Sequence, residues 1–135
     1  MTADAPLRGF PDGLDRLIGL RLTRADGERV EGEIAVTDDL LQGHGIVHGG
    51  VYCAIIETTA SVGASLRAGL DQRMVGISNR TNFRRATTSG TLTVVAEFAA
   101  DDDPRQLWSA VIHDERGRLV ADGQVHLMRL AKPEE

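Results

Sequence analysis

The chain has 135 residues, with 15 lysines and arginines against 20 aspartates and glutamates, a net charge of −5 and a single cysteine. That length, with 41% hydrophobic and 26% charged residues, describes one globular domain with a core of its own and excludes disorder or a need for disulfide or metal staples. The acidic balance argues against nucleic acid as the main partner, and one cysteine cannot form an intrachain disulfide, which fits a reducing cytoplasm.

No apolar run reaches the roughly 18–20 residues of a membrane span, because His48 and Glu57 interrupt the best stretch. Met1 to Arg8 lacks a basic-then-apolar signal segment, so a cytoplasmic, non-membrane protein is expected. Neither a repeat nor a linker divides the chain. A single domain over 1–135 is expected, with its core at about 14–130 and loose ends at Met1–Gly9 and Lys132–Glu135.

Phe10, Leu14, Leu17 and Ile18 recur at helical spacing and stop at Gly19, predicting a short first helix. Ala25-Asp26-Gly27 is a hairpin turn between strands at Leu20–Thr23 and Arg29–Thr37. In the second strand Val30, Gly32, Ile34 and Val36 alternate with Glu31, Glu33 and Thr37, which gives one dry and one wet face. From Gly49 to about Arg67 the period becomes helical, with an apolar stripe of Val51, Ala54, Ile55, Thr58, Val62 and Leu66 and a stop at Gly69.

Four strand-like runs follow: Met74–Ala86, Thr91–Ala100, Leu107–Asp114 and Leu119–Leu130. Thr88-Ser89-Gly90, Asp101–Arg105 and Glu115-Arg116-Gly117 separate them as short polar turns, so a four-stranded antiparallel meander is expected. One long helix with one apolar stripe must be covered by the curved face of that sheet, an α+β wrap. Trp108 and Phe98 alternate as strand residues bound for the core, whereas His113 and His126 read as ordinary strand histidines.

Gln42-Gly43-His44-Gly45-Ile46-Val47-His48-Gly49-Gly50 leads directly into the long helix. Two glycines at a helix start let backbone N–H groups approach a ligand. The roughly half positive charge there suits a carbonyl oxygen that becomes anionic. A plain turn that ends a strand would use the same glycines. Glu57 lies two turns into the helix with Ser61 at i+4, and no other charge occurs between His48 and Arg67. A lone carboxylate flanked by Cys53, Ala60 and Ala64 is a candidate base or nucleophile, or else an exposed glutamate beside a serine. Gly49 and Glu57 stand about 12 Å apart along the helix, so they cannot both touch one reacting carbonyl from the same chain. If both act, a second subunit supplies one of them, and at least a dimer is expected.

Other combinations carry less. His44 and His48 sit in a glycine-rich loop without the ligands of a metal site, so no metal is expected. Cys53 has no activating partner nearby in sequence.

Gln42, His48-Gly49-Gly50, Glu57 and Ser61, with Asn82-Phe83-Arg84-Arg85 in the next strand, resemble the hotdog-fold acyl-CoA thioesterases from about Leu14 to Leu130. The likeness is nearest to the 4-hydroxybenzoyl-CoA and phenylacetate-pathway group with glutamate on the central helix. It implies a hotdog fold, a curved antiparallel sheet around one helix, and hydrolysis of acyl-CoA to a free acid and coenzyme A with no other cofactor. It implies that the Gly49 N–H polarises the thioester carbonyl, with Gln42 and His48 holding it or its surroundings. Glu57 of the facing subunit would be nucleophile or general base, Ser61 would place the water or carboxylate, and the assembly would be a tetramer built as a dimer of dimers. Gly50, Asn82, Ser89 and Gly90 are expected beside the substrate.

A non-catalytic acyl-CoA sensor of the same fold is the alternative, although such a domain should lack the helical acid or carry an attached DNA-binding segment. A hydratase is a lesser one: Asp39 and His44 superficially resemble its acid–histidine pair, without the surrounding glycine-aspartate-x-asparagine-proline pattern.

The charge is uneven. Residues 72–96 hold Arg73, Arg80, Arg84 and Arg85 and no acid, a local +4 against −9 elsewhere. Arg80 and Arg84 share a strand face, with Arg85 on the other. They form either a cationic strand edge or a landing site for the phosphates of coenzyme A.

Overall fold

The computed structural model describes residues 12–131, so Phe10 and the ends expected to be loose lie outside the described residues. Helix α1 (Leu14–Ile18) stops at Gly19 in the left-handed conformation, φ 84°. Strands β1 (Arg21–Ala25) and β2 (Arg29–Ala35) form the first hairpin, whose Asp26 Oδ1 accepts the N–H groups of Glu28 and Arg29, both at 2.8 Å. After a 3-10 turn at Asp38–Leu40 comes α2 (Gly49–Ala68). Strands β3 (Arg73–Phe83), β4 (Thr91–Asp102), β5 (Arg105–His113) and β6 (Leu119–Leu130) complete the chain.

All six strands join one antiparallel sheet in the order β1-β2-β4-β5-β6-β3. The expected four-stranded meander is therefore corrected: β4, β5 and β6 form one, but β3 pairs with β6 on the far edge and β4 pairs with β2. Residues 84–90 do not turn a hairpin. They cross the end of the sheet, where Arg84 N bonds Val120 O (2.8 Å), Val47 N bonds Thr87 O (2.9 Å) and Val36 N bonds Gly90 O (2.8 Å). The dry face of β2 selects β4, since Val30, Gly32 and Ile34 register with Ala96, Val94 and Leu92. Those apolar side chains are buried.

The sheet curls around α2, the hotdog arrangement. Tyr52, Ile55, Ile56, Thr59, Ala60, Val62, Gly63 and Ala64 are buried. The predicted stripe thus shifts: Ile55 and Val62 are inside, but Val51, Ala54, Thr58 and Leu66 are only half-buried. A sheet that wraps past half of the helix circumference buries a broad arc rather than a narrow seam. Ala60 and Ala64 belong to that arc, so the open face consists of Cys53, Ala54, Glu57, Thr58, Ser61 and Ser65.

Helix and sheet meet most closely at Gly63, where an added Cβ would stand 2.3 Å from the Trp108 ring. Trp108 is fully buried and its Nε1 donates to Gln106 Oε1 (2.8 Å), while Gln106 Nε2 donates to Ala64 O (3.3 Å). Phe98 is half-buried at the core margin, edge-on to Trp108 at 6.0 Å, with the Arg67 guanidinium 3.6 Å above it. Among the described residues no helix is long and apolar enough to cross a membrane.

Candidate active site

The glycine-rich segment folds back on itself. Gln42 N bonds Ile46 O (2.8 Å), Gly45 N bonds Gln42 O (2.9 Å) with Gly45 at φ +81°, and Leu41 bridges Val47. His48 is thereby delivered as the N-cap of α2, its Nδ1 accepting the Gly50 N–H at 2.8 Å. That bond places any proton of a neutral imidazole on Nε2. Gly49 is the first helical residue, so its N–H has no acceptor within the helix. With no acid in the first turn, the positive end of the helix dipole is left uncompensated.

Phe83, 59% exposed, lays its ring over Gly49: a Cβ there would stand 2.5 Å from the ring edge, so only glycine leaves the N–H and the ring side by side. Gln42, His48, Gly49, Tyr52, Phe83 and Arg85 line one depression of about 490 Å³. The Gln42 side-chain Oε1 accepts the His44 N–H, leaving its Nε2 as a free donor. Tyr52 packs against Phe83 with centroids 6.0 Å apart. Burial pushes the Tyr52 hydroxyl above the usual phenol range, against an opposing pull from Thr87. Tyr52 Oη and Thr87 Oγ1 are both buried, and neither makes a hydrogen bond of full geometry.

Glu57 lines a second depression of about 510 Å³ with Leu14, Asp15, Cys53, Ala54, Thr58 and Asn79. Asn79 Nδ2 donates to Cys53 O (2.9 Å) and fastens β3 to the helix, while Thr58 Oγ1 donates to Asp15 Oδ1 (2.5 Å) and fastens α1. The Glu57 carboxylate lies over Gly76 of β3, 3.6 Å from where a Cβ would be. Among the described residues it makes no hydrogen bond or ion pair. Ser61 is half-buried one turn further along the open face.

Gln42, His48, Gly49 and Gly50 are thus brought together, and Glu57 with Ser61 lies apart from them. Arg80 and Asn82 lie on the outer face of the sheet around Asp122. Asn82 Nδ2 donates to Asp122 Oδ1 (2.9 Å) and Arg84 Nε to Asp122 Oδ2 (3.0 Å), which together hold that carboxyl below its usual value. The local +4 is therefore partly neutralised by an acid from β6. Arg84 also lines the helix-start depression, and Arg85 lines it beside Arg84. Ser89 is exposed in the crossing segment, and Gly90, at φ +92°, serves a turn closed by Glu115.

Tyr52, Asp15 and Asn79 were not singled out by sequence reasoning, Phe83 entered only as part of the Asn82-Phe83-Arg84-Arg85 motif, and Thr58 was read only as part of the helix's apolar stripe. Thr58 follows Glu57 directly and had that signal available. The Asp15–Thr58 and Gly49–Phe83 contacts join segments distant in sequence and leave no local pattern.

A six-stranded antiparallel sheet wrapped on one central helix defines a hotdog protein, here with a histidine-capped glycine start and an acid two turns into the helix. Residues 44–121, which include His48, Gly49, Glu57 and Ser61, match the thioesterase superfamily. Rv1847 of Mycobacterium tuberculosis is 39% identical over 123 residues, 88% of each chain. Its solved structure covers 88% of this chain and 98% of its own at a TM-score of 0.84. The proofreading thioesterase EntH of Cronobacter turicensis is 30% identical over 101 residues, 75% of this chain and 74% of its own. The 1,4-dihydroxy-2-naphthoyl-CoA hydrolase of Listeria monocytogenes is 28% identical over 108 residues, 80% of this chain and 88% of its own. The chain belongs to the thioesterase superfamily, and its reaction is the hydrolysis of a thioester.

Proposed function

We propose that the protein hydrolyses acyl-CoA thioesters at a site shared between two copies of the chain. The supporting observation is the separation of Gly49 and Glu57 into different depressions of one protomer, about 12 Å apart along α2. Two copies packed through the open face of α2 and the free edge of β3, where Ile77 is 50% exposed, would set one copy's Gly49 against the other's Glu57. A tetramer made of two such dimers follows the family resemblance.

The thioester carbonyl oxygen accepts the Gly49 N–H, with Gln42 Nε2 and His48 at the rim. One such preorganised donor lowers the barrier by about 3–4 kcal/mol. The facing Glu57 either takes a proton from the attacking water or attacks the carbonyl itself, forming an anhydride that water opens; Ser61 orients that water. In both routes the C–S bond breaks and coenzyme A leaves as its thiolate, which takes its proton from Glu57 in the first route and from water in the second, without a metal or a cofactor beyond the coenzyme A of the substrate. The naphthoyl-CoA named for the Listeria relative supports a CoA ester as substrate. A CoA ester in turn supports a cytoplasmic place of work.

The test is thiol release from a panel of aryl- and alkyl-CoA esters, with a carrier-protein thioester as a separate arm. Glu57→Ala should lower kcat by about 10²–10⁴-fold. Retention of most of the wild-type kcat would overturn the assignment.

A further inference from the structure

The depression that holds Glu57 has α1 as one wall. Leu14, 60% exposed, contributes apolar surface together with Ala54, while Asp15 and Glu57 contribute two carboxylates; among the described residues no lining residue is basic. Two arginines, Arg84 and Arg85, lie at the other depression and flank the helix start. Coenzyme A carries several phosphate charges, so two carboxylates repel that end of the substrate and the arginines attract it. In the shared site the CoA end runs toward the partner's helix start, and the acyl end is left against α1.

We infer that α1 is the acyl-selecting wall of the site, with Leu14 packing on the apolar part of the acyl group and Asp15 rejecting acyl groups that end in a carboxylate. The inference rests on the proposed reaction at Glu57. Asp15 is half-buried and held by Thr58 Oγ1 at 2.5 Å, so its charge is fixed in the depression. A charge held in place discriminates without an ordering cost on binding. A neutral acyl chain of the same length meets the same lining, Leu14, Cys53, Ala54, Thr58 and Asn79, without that repulsion between like charges.

The experiment compares kcat/KM ratios for glutaryl-CoA against hexanoyl-CoA, and for 4-carboxybenzoyl-CoA against 4-methylbenzoyl-CoA. Asp15→Asn removes the charge and keeps an acceptor for Thr58. It should raise both acid-to-neutral ratios about five- to tenfold, and about 0.5 M salt should shrink the gain. Leu14→Ala, at a position 60% exposed, should lower the hexanoyl-to-acetyl ratio about three- to tenfold. Unchanged ratios in both variants, with Glu57→Ala inactive, overturn the inference and leave the reaction standing. Shifted ratios with an active Glu57→Ala uphold the wall and overturn the role of Glu57.

Discussion

Glu57 and Gly49 belong to the same helix, yet each lines a depression from which the other is absent. A shared site makes that separation testable by mixing subunits. Glu57→Ala keeps an intact helix start, and Gly49→Val keeps an intact Glu57 while its side chain forces the Phe83 ring across the N–H. Each homodimer should be inactive. Randomly re-associated mixtures contain heterodimers with one complete site of two, so about a quarter of wild-type activity should return. A mixture that stays inactive while native gels show heterodimers refutes the shared site. Sedimentation at micromolar concentration is the companion measurement, and an active monomer refutes it too.

Gly63 touches the fully buried Trp108 more closely than any side chain could. Helix propensity alone favours Gly63→Ala by about 1 kcal/mol. The ring cannot retreat, because its Nε1 is tied to Gln106 and the sheet lies behind it. Overpacking of this kind costs about 1–3 kcal/mol and should outweigh the propensity. Thermal unfolding should show Gly63→Ala melting several degrees below wild type. Adding Trp108→Phe should recover part of that loss, a coupling absent from an unrelated core pair.

These two sites mark how far the sequence was legible. The strands and α2 follow from periodicity, because a two-residue alternation and a 3.6-residue repeat are local properties. The burial of Ala60, Gly63 and Ala64 was not, because an enclosed helix has no clean stripe and a glycine under a tryptophan looks like any other. Thr88-Ser89-Gly90 has the composition of a hairpin turn, and only the Val36–Gly90 and Val47–Thr87 bonds reveal a crossing segment. Glu57 stood out as the one charge on its stretch of helix. Asp15, tied to Thr58 across 43 positions, had no local signal.

Asp122, like Asp26 and Asp114, is held below its usual value by named partners, and its partners come from a different strand and the segment beyond it. The hydrogen bond from Asn82, followed by that from Arg84, lowers its pKa in the folded state. A depressed carboxylate contributes stability in full above its unfolded value of about 3.9 and loses it as pH falls through the folded value. Asp122→Asn should therefore cost about 1 kcal/mol at pH 7 and at pH 5. The gap to wild type should close below about pH 4. Urea unfolding at pH 7, 5, 4 and 3 reads this directly. A gap that persists unchanged at pH 3 would show that packing, not charge, is the origin.

The arginines differ in what they are free to bind. Arg84 is engaged by Asp122 at 3.0 Å, and Arg80 lies on the outer face of the sheet. Arg85 makes no ion pair among the described residues and lines the depression that contains Gly49. If the phosphates of coenzyme A approach from the helix start, Arg85→Gln should raise KM for CoA esters about three- to tenfold at low salt. Arg80→Gln should raise it less, and Arg84→Gln should fall between, because removing that cation also releases Asp122. The effect should fade near 0.3 M salt, where the Debye length is shorter than roughly 6 Å. An Arg80 effect equal to that of Arg85 would redirect the coenzyme across the outer face of the sheet, over Asn82 and Gln124.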